Sequence, residues 1–334
     1  GQILSLSASS NGIYYQNYNI SFTEPWLGGK KPNSLTVSLY KSISSNGQQD
    51  AEREAIEITG VTLGIGKRLQ FPDDYFSLYN GISFQQYKLV NNTSFFSFSN
   101  GFSNNLNYNI RIGRNSMDQL IYPRSGSDFS LSLKITPPYS IFDGVDDYSN
   151  ISDQEKYAWI EYYKWKFKSS WFSAFSDKLV LNTRIEMGLL GAYNNDLGVA
   201  PFERFYVGGS GMSGMGYQFD GRELIRLRGY NDNSISPATG ATIYNKYTTE
   251  LRYAISLNPS STVYALGFLE AGNAWDTFDN FNPFGVKRSA GFGVRIMLPM
   301  IGMMGLDYGW GLDEIPERPN ANGGQFHFSI GQQF

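Results

Sequence analysis

The stretch Phe129-Ser130-Leu131-Ser132-Leu133-Lys134-Ile135-Thr136 alternates apolar and polar side chains without a break. Successive side chains on a β-strand point to opposite faces, so this run has one greasy and one wet face. Its lysine stands in mid-strand, where a water-filled lumen accepts a charge and a packed sandwich does not. The same pattern recurs on both sides of it. Leu106, Tyr108, Ile110 and Ile112 alternate with Asn107, Asn109, Arg111 and Gly113, and Tyr163, Trp165 and Phe167 with Lys164, Lys166 and Lys168. Leu35, Val37 and Leu39 do so with Thr36, Ser38 and Tyr40.

A soluble β-sandwich also alternates, but other features favour a membrane barrel. Many segments run to about ten residues or more, the length of a tilted membrane strand rather than the usual five or six. Aromatic residues gather near the expected strand ends, at Tyr14, Tyr15, Trp26, Tyr87, Trp159, Trp171, Trp275 and Trp310, as an interfacial girdle does. The chain has 334 residues, of which 41% are hydrophobic, 16% aromatic and only 17% charged. One large all-β barrel, residues 1–334, accounts for that length as a single domain.

Composition also excludes several classes. A net charge of −3 gives no footprint for nucleic acid. The absence of cysteine removes disulfides and thiolate metal sites. No apolar run of about eighteen residues is present, so no transmembrane helix is expected. The start, Gly1-Gln2-Ile3-Leu4-Ser5, lacks the basic and apolar regions of a signal peptide, which is expected to lie outside this sequence.

The connections follow the same plan. Short turns fall near Phe71-Pro72-Asp73-Asp74, Ser176-Asp177, Asn258-Pro259-Ser260 and Pro299-Met300-Ile301-Gly302. Between them come long polar loops near 43–53, 91–103, 137–160, 205–243, 275–287 and 312–324. Outer-membrane barrels keep short turns on the periplasmic side and long loops outside, which places the C-terminus in the periplasm. The chain ends Gln325-Phe326-His327-Phe328-Ser329-Ile330-Gly331-Gln332-Gln333-Phe334. Phe326, Phe328, Ile330 and Phe334 share one face, and the aromatic end resembles the signal by which outer-membrane barrels are recognised for assembly.

Few residues point to covalent chemistry. Gly209-Ser210-Gly211-Met212-Ser213-Gly214 spells a dinucleotide fingerprint, but no helix follows to receive a pyrophosphate. His327 is the only histidine, and with Ser329 on the same face it leaves a wall-borne hydrolase as the enzyme alternative. No nucleophile elbow GxSxG accompanies it. The loop acids Asp143, Asp146, Asp147, Asp313, Glu314 and Glu317 suit a solvated surface, though a calcium ion among them stays open. The reading is therefore no catalytic residue, no metal, no cofactor and no enzyme.

The glycine-rich connection from Phe205 to about Tyr244 carries Leu227-Arg228-Gly229-Tyr230. A buried guanidinium needs carboxylates, preferably as a bidentate pair. Glu250 in Thr249-Glu250-Leu251 and Glu270 in Leu269-Glu270-Ala271 lie in the next two strands. An acid in such an apolar strand faces the lumen, because lipid would cost it several kcal/mol, on the order of 2–4. The two acids are expected either to receive Arg228 on the inner wall or simply to face lumen water.

Residues 202–230, with Phe202-Glu203-Arg204-Phe205-Tyr206-Val207-Gly208-Gly209 and the Leu227-Arg228-Gly229-Tyr230 tip, resemble the signature loop of the BamA superfamily. These are bacterial, mitochondrial and chloroplast outer-membrane assembly and translocation barrels. Tyr122-Pro123-Arg124-Ser125-Gly126-Ser127 is similar to a periplasmic turn of the family. The resemblance carries the loop arginine onto Arg228 and its inner-wall acids onto Glu250 and Glu270. Bacterial members commonly have aspartate at the second acid, and residues 211–225 are an insertion relative to the family pattern.

The resemblance implies an all-β, antiparallel transmembrane barrel of about sixteen strands with a long loop folded into the lumen. About fourteen strands are read here, so the first two strands and the upstream POTRA domains are expected to lie outside residues 1–334. It implies an insertase for β-barrel proteins of the bacterial outer membrane, working through a seam between first and last strands. Its partners would be unfolded barrel clients, accessory outer-membrane lipoproteins and outer-membrane lipid. A translocation barrel exporting a dedicated partner protein, and a passive channel, remain the alternatives.

Overall fold

A computed structural model describes the chain except for residues 30–32, 49–51, 93–96, 146, 211–222, 259–260, 300–301 and 331–334. The described strands are β1 Ile3–Asn11, β2 Tyr15–Glu24, β3 Asn33–Ser45, β4 Ala55–Arg68, β5 Phe76–Val90, β6 Gly101–Asn115, β7 Ser125–Ile135 and β8 Tyr163–Ala174. They continue with β9 Leu179–Gly191, β10 Phe205–Val207, β11 Glu223–Ile225, β12 Ile243–Asn258, β13 Ser261–Trp275, β14 Lys287–Leu298, β15 Gly302–Gly311 and β16 Gly324–Ile330. Fourteen of them form one sheet in the order β1 to β9 and then β12 to β16, each strand antiparallel to its chain neighbour. Strands β10 and β11 stand apart as a small parallel pair inside the long connection 192–242. Among the described residues no ladder joins β16 to β1.

The alternation seen in the sequence separates two environments. Along β12, Glu250, Arg252 and Ala254 are buried, while Leu251, Tyr253, Ile255 and Leu257 are exposed. Apolar side chains turned outward and charged ones turned inward invert the soluble pattern, as a lipid belt around a polar interior requires. At about 3.3 Å per residue, β12 with 16 residues and β13 with 15 exceed what a tilted span of the bilayer needs. The wall then falls to 12 residues in β14, 10 in β15 and 7 in β16.

Two apolar clusters fill the interior. The larger joins Phe202, Phe205, Val207, Leu227 and Tyr230 of the long connection to wall residues that include Ile58, Tyr87, Leu190 and Tyr244. Phe202 stacks on Tyr87 with ring centroids 4.6 Å apart. Each such side chain taken from water stabilises the inserted connection by about 1.5–3 kcal/mol. The smaller cluster gathers Phe172, Val180, Tyr264, Leu266 and Phe268 around Tyr122, from the turn after β6. The Tyr122 hydroxyl donates to the carbonyl of Lys178 at 2.9 Å or that of Arg252 at 3.1 Å, so this turn tucks across one mouth of the sheet.

The structure corrects part of the aromatic girdle. Tyr14, Trp26, Trp159, Trp171 and Trp310 are exposed, but Tyr15, Tyr87 and Trp275 are buried. Tyr87 faces inward and stacks on Phe202 of the inserted connection, and Trp275 is covered by Phe281 from the loop between β13 and β14. The connection itself is longer than the sequence marks, because β9 already ends at Gly191.

Candidate functional site

The connection 192–242 turns back into the sheet and is held by short backbone ladders. Phe205 and Ala241 exchange two hydrogen bonds, at 2.9 and 2.7 Å, and Gly209 and Leu227 exchange two more, at 3.0 and 3.1 Å. These pairings leave Leu227-Arg228-Gly229-Tyr230 as a tip pressed on the inner face of β12 to β16. Gly229 adopts a φ of +83°, which an L side chain rarely takes. A Cβ there would lie 2.5 Å from the Gly311 amide nitrogen, and one on Gly309 would lie 2.9 Å from the Gly229 amide nitrogen. Glycine faces glycine so that two backbones can touch.

Arg228 is buried at the centre of this contact. Its Nη2 donates to Glu250 Oε1 and Glu270 Oε1, each at 2.8 Å, and its Nη1 donates to Asp307 Oδ1 at 3.3 Å. Its own amide donates to Glu270 Oε2 at 2.9 Å. The guanidinium carbon lies 3.6 Å from the centre of the Phe268 ring, which adds a cation–π contact. Burial pushes its pKa down, but Glu270, Glu250 and Asp307 push it up further, so the group is raised above its ordinary value and stays charged.

Each acid has a second cation. Arg252 Nη2 donates to Glu250 Oε2 at 2.6 Å, Lys246 Nζ lies 3.1 Å from Glu270 Oε1, and Arg295 Nη1 lies 2.9 Å from Asp307 Oδ1. Four cations thus share three carboxylates in a water-poor interior. Removing one partner from such a set costs about 3–5 kcal/mol, since a buried charge loses its counter-ion.

The last strand is tied in through the backbone. The Gly229 amide donates to His327 Nε2 at 2.8 Å. A ring nitrogen that accepts carries no proton, so the imidazole proton sits on Nδ1. His327 pairs across the ladder with Asp307, which links the arginine cluster to β16. On its outer face Phe326, Phe328 and Ile330 are exposed, whereas Phe334 lies outside the described residues. Most of the fingerprint-like glycine run and of the 211–225 insertion, and the acid Asp146, also lie outside them.

A second anchor holds the start of the connection, and sequence reasoning passed over it. Glu203, with φ +65°, reaches the wall of β6 to β8. Lys164 Nζ donates to its Oε2 at 3.0 Å and to its carbonyl at 2.7 Å, and Lys134 Nζ lies 3.3 Å from its Oε1. Tyr162 and Asn105 donate to Oε1 at 3.1 and 3.3 Å. Burial pushes the carboxyl pKa up, but the two lysines win and hold it well below the usual carboxylate range. Glu223 repeats the arrangement, with Lys164 at 2.8 Å and Lys166 at 2.5 Å. Asp307 was also missed, although Leu306-Asp307-Tyr308 carries the same signal as Glu250 and Glu270: an acid inside an apolar strand.

The chain belongs to the Omp85 superfamily, whose domain profile matches residues 1–334. Among solved structures it is similar to BamA from Haemophilus ducreyi lacking POTRA domains 1–3, with a TM-score of 0.70 and 20% identity. That match covers 98% of this chain and 64% of the BamA chain, so the present sequence spans under two-thirds of it. CdiB from Escherichia coli is similar with a TM-score of 0.54 and 14% identity, over 95% of this chain and 53% of that one. CdiB from Acinetobacter baumannii gives 0.53 and 12%, over 98% and 53%. No curated protein sequence matches significantly. The family is one of bacterial outer-membrane barrels, and the likenesses to solved structures establish the fold.

Proposed function

We propose that this Omp85-superfamily barrel is the membrane part of an insertase that folds β-barrel proteins into the bacterial outer membrane. The observation that carries this reading is the unpaired edge of the last strand. Its 7 described residues pair with β15 alone among the described residues, and no ladder joins it to β1 there. Its outer edge offers backbone donors and acceptors, on which a client strand can add by antiparallel pairing. A hydrophobic belt shorter than the bilayer thins the membrane beside it, which lowers the barrier to insertion there. The work needs no cofactor and no covalent step.

In this reading the inserted connection is the brace. Arg228 on Glu250, Glu270 and Asp307 stiffens the wall next to the working edge, and Gly229 on His327 registers the position of β16. A connection folded back onto the inner wall argues against a passive channel. Strand parity supports a periplasmic C-terminus, on the side of the short turns. Unfolded barrel proteins, accessory lipoproteins and outer-membrane lipid are the partners this assigns.

The fold likeness to CdiB supports a second reading, a translocation barrel serving one exported protein. Depleting the full-length protein in its host and profiling the outer membrane over several generations separates the two. Joint loss of many unrelated barrel proteins, with periplasmic proteins retained, is expected for the insertase. Loss of a single secreted protein would replace it with the exporter.

A further inference from the structure

The inner wall of β6 to β8 borders a cavity of about 460 Å³, one side of which is the base anchor of the connection. Its floor is set by the ladder. Arg111 stands opposite Ser132, and Ser132 opposite Lys166. Two residues along β8, Lys168 stands opposite Ser130 on one side and Glu186 on the other. Neighbouring strands lie about 4.8 Å apart and alternate residues about 7 Å apart along a strand. Three long cationic side chains therefore rise around two serine hydroxyls, close enough to converge on one group.

The charges do not cancel. Arg111, Lys134, Lys164, Lys166 and Lys168 line the cavity with Glu186 and Glu223, and Glu203 stands behind them. Asp128, two residues before Ser130 on the same face, makes a fourth carboxylate, so five cations face four acids and one positive charge is left over. Lys134, Lys164 and Lys166 are taken up by Glu203 and Glu223. Arg111 and Lys168 form no ion pair among the described residues, and both are exposed to the cavity. A low-dielectric barrel wall focuses such a field inward and concentrates anions in it.

We propose that this cavity binds a phosphorylated saccharide. A phosphomonoester is an anion that such an excess attracts, and its oxygens suit Arg111 with a fork and Lys168 with a point charge. The volume falls in the range of small-molecule sites and exceeds what one phosphate fills. Asn109, Ser130 and Ser132 supply the uncharged donors and acceptors that sugar hydroxyls use. The site is separate from the seam and stands whether or not the barrel is an insertase.

Calorimetry on the full-length protein in nanodiscs, with glucose 6-phosphate, inorganic phosphate and glucose as probes, tests it. Glucose 6-phosphate is expected to bind at least tenfold tighter than inorganic phosphate, and glucose not to bind. The double variant Arg111→Gln/Lys168→Gln should lose at least tenfold in affinity while keeping its heat-modifiable, folded mobility. Ser132→Ala leaves every charge in place and should weaken binding several-fold. Lys88→Gln, on the opposite face of its strand from the buried Tyr87 and Leu89, should bind as wild type. No binding of glucose 6-phosphate, or unchanged affinity in the double variant or in Ser132→Ala, overturns the site. Equal affinity for inorganic phosphate overturns the saccharide.

Discussion

The inserted connection is held at two places by opposite arrangements of charge. At its tip one loop cation, Arg228, is received by three wall carboxylates. At its base the loop brings the carboxylates, Glu203 and Glu223, and the wall brings Lys134, Lys164 and Lys166. The chemistry differs as much as the sign. A guanidinium fixes several bonds in one plane, whereas an ammonium is a point charge on a flexible stem. The tip is therefore held in one geometry against β12 to β15, while the base is held with tolerance beside a wet cavity. Opposite signs also forbid the exchanged docking, since a swapped loop would set cation on cation and acid on acid.

The sharpest way to break this contrast is Arg228→Ala. It leaves Glu250, Glu270 and Asp307 with their wall cations but no loop partner, and should cost the docked tip about 3–5 kcal/mol. Hydrogen exchange at the Gly229 amide should accelerate by orders of magnitude, and Arg228→Lys should recover only a minor part of the loss. Unchanged exchange in the alanine variant would mean that the apolar cluster alone holds the tip.

Glu203→Gln should cost less, about 1–3 kcal/mol, because the buried Lys164 keeps Glu223 and the half-buried Lys134 can turn to water. Exchange should rise at the base and stay near wild type at Gly229. Equal acceleration at both places would show one cooperative unit, and the double variant would then fall short of additivity.

The smallest effect is that of pH. Glu203 has a folded pKa below its unfolded value of about 4.3, so its contribution is complete above that value and fades as pH falls through the folded one. Exchange at the base, corrected for its intrinsic pH dependence, should be flat from pH 8 to pH 5 and rise below about pH 4. A change between pH 8 and pH 6 would assign the anchor to another group.

Much of this was legible in the residues because period-2 alternation is a local signal. Strand count, inward lysines and the acids Glu250 and Glu270 all follow from which face a side chain takes. What stayed hidden depends on two segments meeting. Glu203 sits in an irregular stretch with φ +65°, where no periodicity says which wall it will reach. Three mid-strand lysines mark a wet face, but nothing in the order of residues names a glutamate about forty positions later as the partner of Lys164. Tyr87 was assigned to lipid for the same reason, since its partner Phe202 comes from a connection that refolds inward.

The tip is gripped from behind as well as in front. Asn231 donates its amide to the Ala321 carbonyl at 2.7 Å, Tyr230 bridges to Asn322, and Arg318 Nη1 donates to the Asn233 carbonyl at 2.6 Å. The segment 312–323 that makes these bonds also joins β15 to β16. The tip and the last hairpin therefore hold each other, and loosening either exposes the other.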